Sequence, residues 1–172
     1  MCHFPVWKRV KIGRFKIKGP IAYYQALKQK KVEINSEFSY LLAECEFAQE
    51  EKDVNLVKVS QEDLGLDPST VTYRQFLNAA IYRGLVLPSA EVCAGLRLDY
   101  EEQGAERIYM ATIPYARNPH GPTAFAIVTL VYVHGELYIG MAHCQMDYRF
   151  PAIRMDLHPK VDATKFIFMQ PE

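Results

Sequence analysis

Apolar and polar positions along the 172-residue chain follow two rhythms, a helical spacing through the first two thirds and a two-residue alternation near the end. Residues 6–12 read as a strand, with Val6, Val10 and Ile12 on one side and charges on both. Gly19-Pro20 opens a helix, because proline fits the first helical position and lacks only an amide that would be unpaired there. Ile21, Tyr24 and Leu27 form its expected apolar stripe, and Lys28, Lys30 and Lys31 favour its C-terminal end. Asn35-Ser36 offers an N-cap to a second helix, in which Phe38, Leu41, Leu42 and Cys45 recur at helical spacing. Residues 53–59 form a short apolar strand, and Ser60 with Asp63 resembles a capping pattern for one turn ending at Gly65.

Local signals are strongest after residue 70. Thr72 with Gln75 makes a capping box, and Val71 with Phe76 a hydrophobic staple. Tyr73, Phe76, Leu77, Ala80, Ile81, Gly84 and Leu85 continue the helical period until Pro88. Ser89 caps a further helix to about Glu102, although the alternation of Leu96, Leu98 and Tyr100 keeps a strand open as an alternative. From Glu106 the period is two, so 108–115, 124–133, 136–144 and 164–169 read as strands. His134-Gly135 closes a tight hairpin between the middle pair. Residues 125–133 are apolar on both faces, which places that strand centrally with a helix over one side. The expected fold is a single α+β domain over residues 1–172, an antiparallel sheet of about four to six strands with helices packed on one face. Phe76, Leu77, Ile81 and Leu85 are expected to pack against that sheet or its helices.

Composition agrees with a packed core, since 49% of residues are hydrophobic. No apolar run is long enough to span a bilayer, and the first ten residues lack the apolar core of a secretory signal. Cys2, Cys45, Cys93 and Cys144 have no paired spacing and apolar neighbours, so they read as free thiols, and the protein as cytoplasmic. Charge changes the picture more. The first 31 residues hold nine of the twenty basic residues and no acid, leaving eleven bases against twenty acids in the remainder. Such a segment meets an anionic partner or pairs internally with the acidic stretch 44–53.

Several stretches resemble a group of small uncharacterised bacterial proteins of unassigned function. They are Trp7-Lys-Arg-Val-Lys-Ile-Gly13, the Ala26-Leu27-Lys28 helix, residues 53–60, Leu64-Gly65, Gly84-Leu85-x-Leu87-Pro88-x-Ala90-Glu91-Val92 and Leu96-Arg97-Leu98-x-Tyr100. The resemblance implies one domain over most of the chain and carries no chemistry. The chain departs from the group at Cys93, in place of an expected glycine, and at Lys165-Phe-Ile-Phe168, in place of a Trp-rich end.

No phosphate loop, HExxH, GxSxG or zinc-deaminase pattern is present. His143 and Cys144 are adjacent on a strand and point to opposite faces, so no metal ligand pair is expected, and no cofactor. A helix-turn-helix reading of the helices at 72–84 and 89–102 fails on charge. Glu91, Asp99, Glu101 and Glu102, with Arg97, are expected on the exposed face, where phosphates would repel them. The same acids are expected to be solvated rather than catalytic. If the last four strands form a meander, loops 116–123 and 145–163 leave one sheet end together. They bring Arg117, Asn118, His120, Tyr148, Arg149, Arg154, Asp156 and His158, a mixture suited to protein recognition.

The leading expectation is a non-catalytic interaction module that binds another protein or itself, with no membrane partner. The alternative is a nucleic-acid-binding accessory protein using Lys8, Arg9, Lys11, Arg14, Lys16 and Lys18. A third reading is an enzyme with a site of scattered Asp, Glu, His and Arg, and a fourth a small-ligand sensor.

Overall fold

A computed structural model describes residues 3–15, 19–104, 106–113, 115–116, 125–144 and 165–171. In chain order these form β1 (Val6–Ile12), α1 (Gly19–Gln29), β2 (Val32–Ile34), α2 (Ser36–Ala43), β3 (Lys52–Val59), a 3-10 turn (Glu62–Leu64), α3 (Tyr73–Tyr82), α4 (Ala90–Asp99), β4 (Ile108–Met110), β5 (Tyr115–Ala116), β6 (Phe125–Val133), β7 (Glu136–Cys144) and β8 (Phe166–Gln170). No described helix is long and apolar enough to cross a membrane.

The strands share one curled sheet in the order β1-β3-β8-β4-β6-β7-β2, with β5 pairing β6 off that path. The α+β expectation is met, but the sheet is mixed rather than antiparallel, because β2 runs parallel to β7 and β4 parallel to β8. Helices also cover both faces, not one. On the first face Val10, Ile12, Leu56, Ile108, Met110, Val128, Leu130, Ile139 and Ile167 pack with α1, α2 and α4. On the second, Val57, Val59, Tyr109, Ala111, Ile127, Phe166 and Phe168 pack with α3 and the 3-10 turn. Successive residues of one strand thus enter different cores, as the pleat requires. Phe166 and Phe168 enclose Ile167 in this way, and the Phe76 ring lies 5.3 Å from that of Phe166 and 5.5 Å from that of Phe168.

The meander is corrected too. β8 inserts between β3 and β4 instead of following β7. Cys144 ends β7 opposite Phe125, at the end of the sheet where β6 begins. Phe166, by contrast, starts β8 at the level of Tyr109 and Thr129, halfway along β6. Loops 116–123 and 145–163, expected to leave one sheet end together, lie outside the described residues apart from Ala116. The hairpin is as expected, since His134 (φ 53°) and Gly135 (φ 86°) both take the positive φ of a two-residue turn.

Local signals hold well. Asn35 Oδ1 accepts from the Glu37 amide at 2.7 Å, and Thr72 and Gln75 form the capping box. Ser60 and Asp63 bond reciprocally, each side chain to the other's amide. α3 stops in a Schellman arrangement, the Leu85 amide reaching Ala80 O and that of Gly84 reaching Ile81 O. Phe76, Leu77 and Leu85 are buried as expected, whereas Ile81 is half exposed, because the chain turns at Gly84 before its face is covered.

α1 rotates relative to expectation. Ala22, Tyr23 and Leu27 face the core, while Ile21 and Tyr24 are exposed. Tyr23 wins the inward position because its hydroxyl finds a buried acceptor, Glu91 Oε1, at 3.0 Å. α4 is helix to Asp99, three residues short of Glu102, and residues 90–98 are all buried. β1 approaches it so closely that a Cβ on Gly95 would stand 2.9 Å from Val10 Cγ1 and 3.2 Å from Lys11 O.

Candidate functional site

Of the residues expected on the exposed face of α4, Asp99 and, beyond the helix end, Glu101 and Glu102 are exposed, whereas Glu91 and Arg97 are not. Glu91 is 2% exposed and Arg97 is fully buried. Glu91 Oε1 accepts from the Gly13 amide (2.8 Å) and the Tyr23 hydroxyl, and Oε2 from the Ala48 amide (2.9 Å). Its place in the first turn of α4 also suits a negative charge. Burial, and then the neighbouring carboxylate, push the Tyr23 pKa well up, so the phenol stays protonated as donor. Gly13 has φ 73°, and a Cβ there would lie 2.1 Å from Glu50 O, so only glycine brings its amide to Glu91. Arg97 donates to Gln103 Oε1 at 2.5 Å and to Tyr100 O, and Gln103 Nε2 donates onward to Leu130 O at 3.0 Å. Burial pushes the Arg97 guanidinium down to about 10. These two buried polar groups clamp α4 to β1, α1 and β6. A signal lay in the small residues Ala90, Ala94 and Gly95, which mark α4 as a helix that other segments approach closely.

The basic residues of β1 and of the turn after it make contacts within the molecule. Arg9 donates to Asn55 Oδ1 (3.2 Å), Lys11 pairs with Glu51 (2.8 Å), and Arg14 pairs with Asp99. Lys8 stands 4.0 Å above the Tyr100 ring, and Lys58, paired with Glu106, stands 4.4 Å above Trp7. Trp7 meets Tyr100 edge to face at 5.5 Å, and Phe15 meets Tyr23 at 4.8 Å. Lys16 and Lys18 lie outside the described residues. So do Arg117, Asn118, His120, Tyr148, Arg149, Arg154, Asp156 and His158, and the side chains of His143, Cys2 and Cys144. Cys45 and Cys93 are free thiols, each raised in pKa by burial. Among the described residues no group of three or more His, Cys, Asp or Glu side chains is placed to hold a metal ion.

The candidate site is an open groove of about 520 Å³ on the second face of the sheet. Its floor is Thr129 and Val131 of β6 with Tyr138 and Gly140 of β7, beside the portion of that face that α3 covers. Glu33 of β2 pairs in register with Tyr138, and Tyr138 with Val131. Arg107, just before β4, forms the opposite wall and hydrogen-bonds the Tyr109 hydroxyl. The Tyr138 hydroxyl donates to Glu136 Oε2 at 2.6 Å, which raises the phenol pKa, and the Glu33 carboxylate adds to that rise. Among the described residues neither Glu33 nor Glu136 has an ion-pair partner. A Cβ on Gly140 would meet nothing nearer than Thr129 Oγ1 at 3.9 Å, so its missing side chain leaves the groove its depth. None of these residues was singled out by sequence reasoning, because β2 is three residues long and carries no alternation that can be read. Comparison with protein-family models, curated proteins and solved structures finds no match.

Proposed function

We propose that the protein is a non-catalytic interaction module that binds another protein through the groove across β6, β7 and β2. The observation that carries this reading is an apolar floor that no described residue covers, between charged side chains that lack ion-pair partners among the described residues. Such a surface matches the apolar centre and polar rim of a recognition site. A catalytic site would draw on enclosure and a displaced pKa at a reacting group, whereas the deeply buried Glu91 is consumed by three donors from the fold itself. The nucleic-acid alternative loses support because Lys11 and Arg14 are ion-paired within the molecule, Arg9 is hydrogen-bonded to Asn55, and Trp7 and Phe15 are packed.

The test is affinity capture from the native cell with the wild type and with Gly140→Leu, which fills the groove. A partner retained by the wild type and lost by the variant is expected. A captured set indifferent to Gly140→Leu overturns the assignment to this groove.

A further inference from the structure

Resting on that interaction-module reading, we infer that the groove takes an extended peptide segment bearing a basic side chain at one end and a carboxylate about four residues away. The geometry is a row of side chains across the sheet. Arg107 precedes Ile108, which pairs with Leu130, so the pleat sets it beside Val131; Val131 pairs with Tyr138, and Tyr138 with Glu33. Three strand spacings separate the two ends of the row, roughly 14 Å, and an extended chain covers that distance in about four residues. The β2 end is acidic, with Glu33 and Glu136 flanking the Tyr138 ring. A lysine or arginine there gains two carboxylates and an aromatic surface. The β4 end is cationic, with Arg107 steadied by the Tyr109 hydroxyl and without an ion-pair partner among the described residues, so that its guanidinium can meet a carboxylate. Between the poles Val131 and Gly140 offer an apolar bed without further charge. The dipolar arrangement selects a dipolar ligand, because a singly charged segment leaves one pole unmatched.

Fluorescence polarisation with labelled hexapeptides tests this. One set carries Arg and Asp four positions apart in either order with apolar residues between, and two further sets carry Arg at both positions or Asp at both. The wild type is expected to prefer a dipolar peptide by about tenfold over either like-charged one. Arg107→Glu is expected to shift preference to the doubly basic peptide, and Glu33→Arg with Glu136→Arg to the doubly acidic one. Circular dichroism and an unchanged unfolding midpoint check that these substitutions, at exposed Glu33 and Glu136 and half-buried Arg107, leave the fold intact. Peptide binding that is lost in Gly140→Leu but varies less than twofold with charge overturns the ligand class and leaves the interaction module standing. The same follows if no peptide binds while a native partner is still lost in Gly140→Leu. Self-association by sedimentation that Gly140→Leu abolishes makes a second copy the occupant and overturns the peptide. Failure of peptides, partner and self-association together removes both readings.

Discussion

Glu91 and Glu33 show how differently one side chain is used in the two halves of this molecule. Glu91 lies at the start of a helix buried all round, and its two oxygens are claimed by donors from the turn after β1, from α1 and from the 44–51 connection. Glu33 lies on a three-residue edge strand, exposed, beside an aromatic ring and a second carboxylate. The first carboxylate closes the fold, and the second is left over after folding. Arginines repeat the contrast: Arg97 is buried among the Gln103 side chain and the Tyr100 carbonyl, while Arg107 stands at a groove wall. A charged residue whose donors or acceptors come from several distant segments is a structural clamp. One with no ion partner beside an uncovered apolar surface is a candidate for binding.

The comparison breaks most sharply at Glu91. Glu91→Ala leaves two amides and a phenol without an acceptor, and we expect about 3–5 kcal/mol lost in urea unfolding. A loss below about 1 kcal/mol would mean that water replaces the carboxylate and that the clamp is incidental. Gly95→Ala comes next, with about 1–3 kcal/mol expected, since the added methyl meets both Val10 and the Lys11 carbonyl. Tyr23→Phe is smaller, about 1 kcal/mol at neutral pH for one hydrogen bond, and it carries a pH signature. The folded phenol keeps its proton after an unfolded tyrosine loses it near about pH 10. Stability from this group is therefore complete below that pH and declines as pH rises above it. Tyr23→Phe should decline less steeply between about pH 9 and 11, and parallel curves would contradict the assignment. At the other extreme, Glu33→Ala with Glu136→Ala should move stability by no more than about 0.5 kcal/mol. A larger loss would place these residues with Glu91 rather than with a ligand.

The fold was legible in proportion to how local its causes are. The Thr72–Gln75 box, the Asn35 cap and the His134-Gly135 hairpin each depend on a few neighbouring residues, and each stands as read. The stripe of α1 was misread because Ile21/Tyr24 and Ala22/Tyr23 offer two overlapping helical faces. Only the distant Glu91 decides between them. The place of β8 was hidden for a similar reason. Phe166, Ile167 and Phe168 announce burial on both faces, but no local pattern says that their neighbours are β3 and β4. Glu91 and Arg97 were assigned to solvent by residue type alone, although Ala90, Ala94 and Gly95 already marked α4 as a helix that others approach closely. The groove was not legible at all. It arises where Glu33, Tyr138 and Arg107 meet from three separate stretches of chain.

The two outermost strands bear on how copies of this chain behave at high concentration. An edge strand presents unpaired amides and carbonyls that recruit a neighbouring molecule and seed fibres. β2 offers only three residues for such recruitment. β1 is longer, but its register slips between Val6 and Lys8, and Lys8, Arg9 and Lys11 interrupt it. Lys8 and Arg9 have no ion-pair partner among the described residues, so the edge keeps a positive charge that repels its own image and insulates one molecule from the next. Replacing Lys8 and Arg9 with threonine would remove it, and the earliest consequence would be turbidity in concentrated solution rather than a change in the folded monomer.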